Sequence, residues 1–172
     1  MATIADRERL RGWRDAWMTA LGKVRASGRG AALAPLGALF QPDSALAGAL
    51  PPAGDYRCRV FKLGSKAPGA PDFTAYPNFD CRVEDEGEVL SFYKRSGSQR
   101  PVGLILKDSD SRGIFLGTLI LGDETMAMQY GQDATRDMAG VVERIGERRW
   151  RLVLPYPAFE STLDVIELVP AT

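Results

Sequence analysis

The residues able to do chemistry are few, and one type is missing altogether: the 172-residue chain contains no histidine. That excludes Ser-His-Asp and Cys-His catalysis, His-ligated zinc and the usual proton shuttle near neutral pH. Carboxylates, tyrosines and two cysteines remain. Among the carboxylates, Glu143 has the most informative setting. A two-residue turn at Gly146-Glu147 puts Glu143 opposite Trp150 on an apolar face. An apolar pocket raises a carboxyl pKa, which is the environment of some catalytic acids. The plainer expectation is a Glu at a barrel rim, or one paired with an arginine such as Arg100. Tyr56, Arg100, Tyr130, Glu143 and Trp150 form the candidate ligand-binding set. No catalytic residue, metal ligand or cofactor is assigned.

Other spacings carry less. Asp108-Ser109-Asp110-Ser111-Arg112-Gly113 begins like a calcium loop, but Arg112 fills its fifth position and Leu119 stands where a bidentate Glu belongs. It reads as a hairpin turn. Ser91-Phe92-Tyr93-Lys94 has the letters of Ser-x-x-Lys, yet on a strand residues three apart face opposite sides. Gly28-Arg29-Gly30 lacks the preceding strand and the third glycine of a phosphate loop. Arg57, Arg59 and Arg82 read as solvated arginines on an outer strand face, with an anion or partner site as the lesser reading.

The 22 basic and 22 acidic residues cancel, which removes the charge footprint of a general nucleic-acid binder. The balance is uneven along the chain. Residues 1–30 carry +4, 31–55 carry −2, 56–107 carry +3 and 108–172 carry −5. The basic front and acidic rear are expected to attract each other within the fold. A basic helix with two tryptophans touching anionic lipid is the lesser reading.

Cys58 and Cys81 sit in mirrored contexts, Tyr56-Arg57-Cys58-Arg59-Val60 and Phe79-Asp80-Cys81-Arg82-Val83. Pairing these segments antiparallel with the cysteines opposite sets Tyr56 against Val83 and Val60 against Phe79 on one apolar face. A cross-strand disulfide follows from that arrangement; the alternative is two buried thiols. The first nine residues have no apolar signal region, and the strongly apolar run 114–121 is too short to span a bilayer. A disulfide favours an exported, periplasmic protein whose leader lies outside this sequence, with the cytoplasm as the alternative.

These residues must be positioned by regular elements. Thr3 can cap a helix over 3–27, whose stripe Leu10, Trp13, Trp17, Ala20, Leu21 and Val24 needs a large apolar surface to cover. Residues 31–54 read as short helical turns, around 33–40 and 43–49, and loop. From 55 to 169 the period is two. Strands are expected at 55–63, 78–84, 88–94, 101–107, 113–121, 125–130, 137–145, 148–154 and 162–169, with 64–77 as a long loop. The fold class is mainly β: a single-domain, antiparallel, up-and-down, lipocalin-like barrel of eight to nine strands with the helix packed on it. The run 114–121 is apolar on both faces, which the tryptophan stripe would cover.

The segments Tyr56–Gly64, Gly97–Gly103, Phe115-Leu116-Gly117, Leu121-Gly122-Asp123-Glu124 and Phe159–Val165 resemble an uncharacterised proteobacterial family, the domain of unknown function DUF4893. The likeness runs from Asp6 to Pro170 in the same order. It implies a bacterial protein, often exported, with a lipocalin-like barrel, and it implies no activity. The leading functional expectation is non-catalytic: binding of a small apolar ligand in the barrel. The rival is a cell-envelope structural or interaction protein whose barrel is filled. Tyr56, Phe79, Val102, Leu104, Leu106, Trp150, Leu152 and Leu154 pointing inward would nearly fill it. A third reading is an enzyme built on Glu143 and Tyr130. A continuous apolar void of about 300 Å³ or more separates the first two. No nucleic-acid partner and no integral membrane segment are expected, and the oligomeric state stays open.

Overall fold

The computed structural model describes residues 1–172. Alternation of period two yields eight antiparallel strands: β1 (Gly54–Ser65), β2 (Phe73–Asp85), β3 (Leu90–Lys94), β4 (Gln99–Ser109), β5 (Arg112–Leu121), β6 (Asp137–Gly146), β7 (Arg149–Pro155) and β8 (Ser161–Pro170). Each pairs with its chain neighbour, and β8 returns to β1. The barrel is closed, so no strand edge is left unpaired.

The ninth expected strand, 125–130, is irregular. β5 and β6 pair directly, which leaves 122–136 as a connection outside the ladder. The expected loop 64–77 shrinks to 66–72 because β1 and β2 run on together past a bulge between Arg59 and Phe61. The extra residues lie at Tyr76 and Pro77, where a bulge tolerates a proline that has no N–H to give the ladder.

Two registers differ from expectation for legible reasons. Cys58 stands opposite Phe79 and Tyr56 opposite Cys81, two residues from the expected pairing, and the Cys58–Cys81 disulfide is diagonal. A shift of two keeps every side chain on its face. It also replaces the like-charged pair Arg57/Arg82 with Arg57 across from Asp80 and Arg82 across from Asp55, the latter bonded at 3.1 Å. Between β6 and β7 the turn falls at Glu147-Arg148, one residue later, with a bulge at Ile145. A shift of one reverses the face. Glu143 therefore lies opposite Arg151, not Trp150.

The face of β4 is also the reverse of the expectation. Pro101, Gly103 and Ile105 point inward, while Leu104 and Leu106 stay 43% and 38% exposed outside. Gly103 pairs with Gly117, and a Cβ on Gly117 would come within 2.6 Å of the Phe115 ring. Gly117 leaves room inside for that ring, and a Cβ on Gly103 would run into the Leu116 and Gly117 backbone.

The expected single helix is two: α1 (Ile4–Arg11) and α2 (Trp13–Ala26), broken at Gly12. Thr3 caps α1, its hydroxyl oxygen accepting from the Asp6 N–H at 3.1 Å. A mid-helix glycine costs about 1 kcal/mol relative to alanine, and the break lets α1 lie along β6 while α2 crosses β7, β8 and β1. Ala16, Trp17, Ala20, Leu21 and Val24 pack on Phe61, Leu63, Val153, Leu163 and Val165 from the barrel's outer face. The helices therefore cover β6, β7, β8 and β1 and reach the start of β5, where the Arg112 guanidinium lies 5.1 Å from the Trp13 ring centroid; Ile114 and Leu116 stay half-buried. The ion pairs of residues 1–30 are Arg9–Asp6 and Arg14–Asp43, so no ion pair joins the basic front to the acidic rear. After Gly30–Ala32 and Ala34–Phe40, two 3₁₀ segments, the chain runs without the helical turn expected at 43–49. No helix is long and apolar enough to cross a membrane.

Candidate functional site

The barrel interior divides into two halves. In one, Phe92, Ile105, Phe115, Val142, Trp150, Leu152 and Leu168 pack around the disulfide. Phe92 meets Phe115, and Tyr56 meets Trp150, edge to face at centroid distances of 5.9 and 6.3 Å. Residues 46–52 close that end. Leu46 bridges to Arg144, the Gly48 and Ala49 N–H groups donate to the Asp110 carbonyl, and the Trp150 indole N–H donates to the Gly48 carbonyl. The Tyr56 hydroxyl donates to the Pro52 carbonyl, and burial pushes its pKa up to about 12.

The other half is open. A cavity of about 160 Å³ lies among Val60, Phe79, Pro101, Leu119, Leu154 and Ile166, which form its apolar walls. Lys62, Lys94, Asp164 and Glu160 supply charge. A recess of about 280 Å³ adjoins it across Lys62, Tyr76 and Glu160. The lip is the loop 156–160, where Tyr156 and Glu160 are the chain's two non-glycine residues with positive φ, at 48° and 70°. Such backbone persists only where its surroundings hold it. Arg9 of α1 supplies that hold on one side: its Nε donates to the Tyr156 carbonyl at 3.2 Å.

Strand parity explains the charged set. Lys62 follows Val60 on the inward face of β1, Lys94 follows Phe92 on β3, and Asp164 precedes Ile166 on β8. Lys62 Nζ donates to Asp164 Oδ2 at 3.0 Å, with Glu160 at 3.8 Å. The Ser161 hydroxyl donates to Asp164 Oδ1. Burial pushes the Asp164 carboxyl above the usual range, against the opposing pull of Lys62 and Ser161. Lys94 Nζ donates to the Gln99 carbonyl at 2.8 Å and lies 3.7 Å from the Phe79 ring centroid. Burial first, then Arg100 and Lys62, lowers its pKa to about 8. A cavity with apolar walls and a fixed ammonium can hold a small amphipathic molecule.

None of the five expected ligand residues lines this cavity. Tyr56 and Trp150 fill the closed half. Arg100 points outward and clamps the rim, donating to the carbonyls of Gly97, Gly122 and Glu124. Tyr130 donates to Asp6 Oδ2 and ties the 122–136 connection to α1. Glu143 is buried beneath the 3₁₀ segment and accepts from Arg151, whose guanidinium also donates to the carbonyls of Ala38, Leu39, Gln41 and Pro42. That cluster fastens the segment to the barrel, and it does not bring Glu143 near Tyr130's partners. The residues 108–113 form the β4–β5 hairpin. Lys62, Lys94 and Asp164 line the cavity, and their signal in the sequence is a charge at an inward-facing position of a strand.

The family model for a domain of unknown function, DUF4893, matches residues 1–168 of the chain. No curated protein and no solved structure matches it.

Proposed function

The chain belongs to the DUF4893 family, and we propose from the site itself that it is a non-catalytic protein holding a small, largely apolar molecule in the open half of its barrel. One observation carries this reading: the same barrel packs aromatic and branched side chains around the disulfide at one end and leaves a walled cavity of about 160 Å³ at the other. Cavities near 150 Å³ accept a molecule of about benzene's size. The space falls below the roughly 300 Å³ taken as the mark of an open barrel, so the ligand reading holds for a short molecule alone. The disulfide supports an oxidising compartment as the place of work.

The test is a titration of the whole chain with benzene and 1-hexanol, beside a Leu119→Trp variant whose indole fills the cavity. Binding by the wild type that disappears in the variant supports the reading. Binding unchanged by the variant contradicts it.

The outer face of β4 and β5 favours a second reading, an interaction surface. Leu104 and Leu106 are exposed there beside half-buried Ile114 and Leu116. Lysine at positions 104 and 106 would abolish self-association or partner binding on this reading and leave it unchanged on the first.

A further inference from the structure

Lys94 is the charge the open half leaves unanswered. It is 5% exposed, yet it takes part in none of the eleven ion pairs of the molecule. An ammonium has three N–H donors. One reaches the Gln99 carbonyl, and the Phe79 ring face gives partial compensation. Burying a cation without a counter-ion is costly, and proteins ordinarily pair or remove such a group. Lys62, by contrast, is answered by Asp164 and Glu160.

The pairing of the other basic groups points the same way. Of the four basic residues that line the cavity, Arg9 is bonded to Asp6, Arg136 to Glu124 and Lys62 to Asp164, which leaves Lys94 as the one without a carboxylate partner. Asp137, Glu160 and Asp164 line the same cavity, so a second negative charge on a ligand would meet them.

We propose that the ligand is a singly charged organic acid with a short apolar body: its carboxylate accepts from Lys94 Nζ, and its body packs on Leu119, Leu154 and Ile166. This rests on reading the open half as a ligand site. A charge-assisted hydrogen bond to a desolvated ammonium is roughly twice as strong as a neutral one, and it answers the donors that Gln99 leaves free. Burial lowers the Lys94 pKa most, and the charges of Arg100 at the rim and Lys62 on β1 lower it further; Glu160 of the lip and Asp164 of β8 line the same cavity. Carboxylate affinity therefore falls as pH rises through about 8, because the neutral amine no longer attracts the anion.

Calorimetric titration of the full chain with hexanoate and benzoate, and with hexanamide and benzamide as uncharged twins, tests this. At pH 7 the acids should bind about tenfold or more tightly than their amides. In Lys94→Met the preference should vanish while amide binding remains, and in the wild type it should shrink between pH 7 and pH 9.5. Thermal melting verifies that Lys94→Met is folded, with Lys94→Gln as the second variant. Acids and amides binding alike, or a preference that survives in both variants, overturns the inference and leaves the ligand site standing. Failure of all four probes to bind the wild type overturns both.

Discussion

The two ends of one barrel interior solve opposite problems with the same alternation of residues. At the closed end the inward positions carry aromatic and branched side chains around a disulfide, and residues 46–52 shut the opening. At the open end the inward positions carry Lys62, Lys94 and Asp164 among shorter apolar groups, and the space between them stays unfilled. Closed packing stabilises the fold by burial and dispersion, about 25 cal/mol for each Å² removed from water. Buried charge does the reverse unless it is paired. The two halves meet at Leu154 and Ile166, which belong to the packed cluster and also wall the cavity; away from that seam, stability and binding should respond separately to mutation.

The largest effect should come from opening the closed half. Phe115→Ala removes a buried ring that Gly117 makes room for, and denaturant unfolding should show a loss of about 4 kcal/mol. Truncating Leu119 to alanine in the open half should cost about 1 kcal/mol or less, since its neighbours on the cavity side are already missing. Equal losses at the two positions would erase the contrast.

Breaking the paired charge comes next. Lys62→Met leaves Asp164 buried without its cation and should cost about 3 kcal/mol at pH 7. Because burial already holds the Asp164 carboxyl above its unfolded value, its protonated form is the one the fold favours. Stability linked to it is present at low pH and lost as pH rises through the folded pKa. The deficit of Lys62→Met should therefore shrink on acidification, read as converging melting curves.

Removing the cross-link tests the closed half from the unfolded side. The Cys58–Cys81 bridge closes a separation of 23 residues, and the double Cys→Ala variant should lose about 3 kcal/mol. Cavity binding should persist at temperatures where the variant is folded.

The smallest effect is the most discriminating. Lys94→Met removes a buried, uncountered cation and should leave stability at pH 7 unchanged or slightly higher. Between about 8 and 10.5 the folded wild type binds fewer protons at Lys94 than the unfolded chain does, so wild-type stability rises with pH there. The advantage of Lys94→Met should narrow across that window.

Much of the fold was legible because a period of two needs only the order of residues. The eight strands, the helix stripe and the cysteine partnership follow from it. Exact register did not follow. It turned on a bulge at Tyr76-Pro77, on another at Ile145 and on charge pairing at Asp55, features that alternation alone does not rank. The expected ligand residues and the cavity lining differ for a related reason. The expectation for Glu143 rests on Trp150 as its neighbour, and a one-residue slip sets Glu143 opposite Arg151 on the outer face instead. Lys94 is also legible. The parity that separates Ser91 from Lys94 also sets Lys94 on the face of Phe92, inside the barrel. Gly103 was harder to read. Only the Gly103–Gly117 pairing and the Phe115 ring explain why β4 turns Leu104 and Leu106 outward.

The division of the interior is tested most directly by following backbone amide and methyl NMR signals of the whole chain during titration with hexanoate. Shifts confined to Val60, Leu119, Leu154 and Ile166, with Phe92, Phe115 and Trp150 unmoved, are the predicted result. Shifts at the outer residues Leu104 and Leu106, or none in the open half at saturating acid, would contradict it.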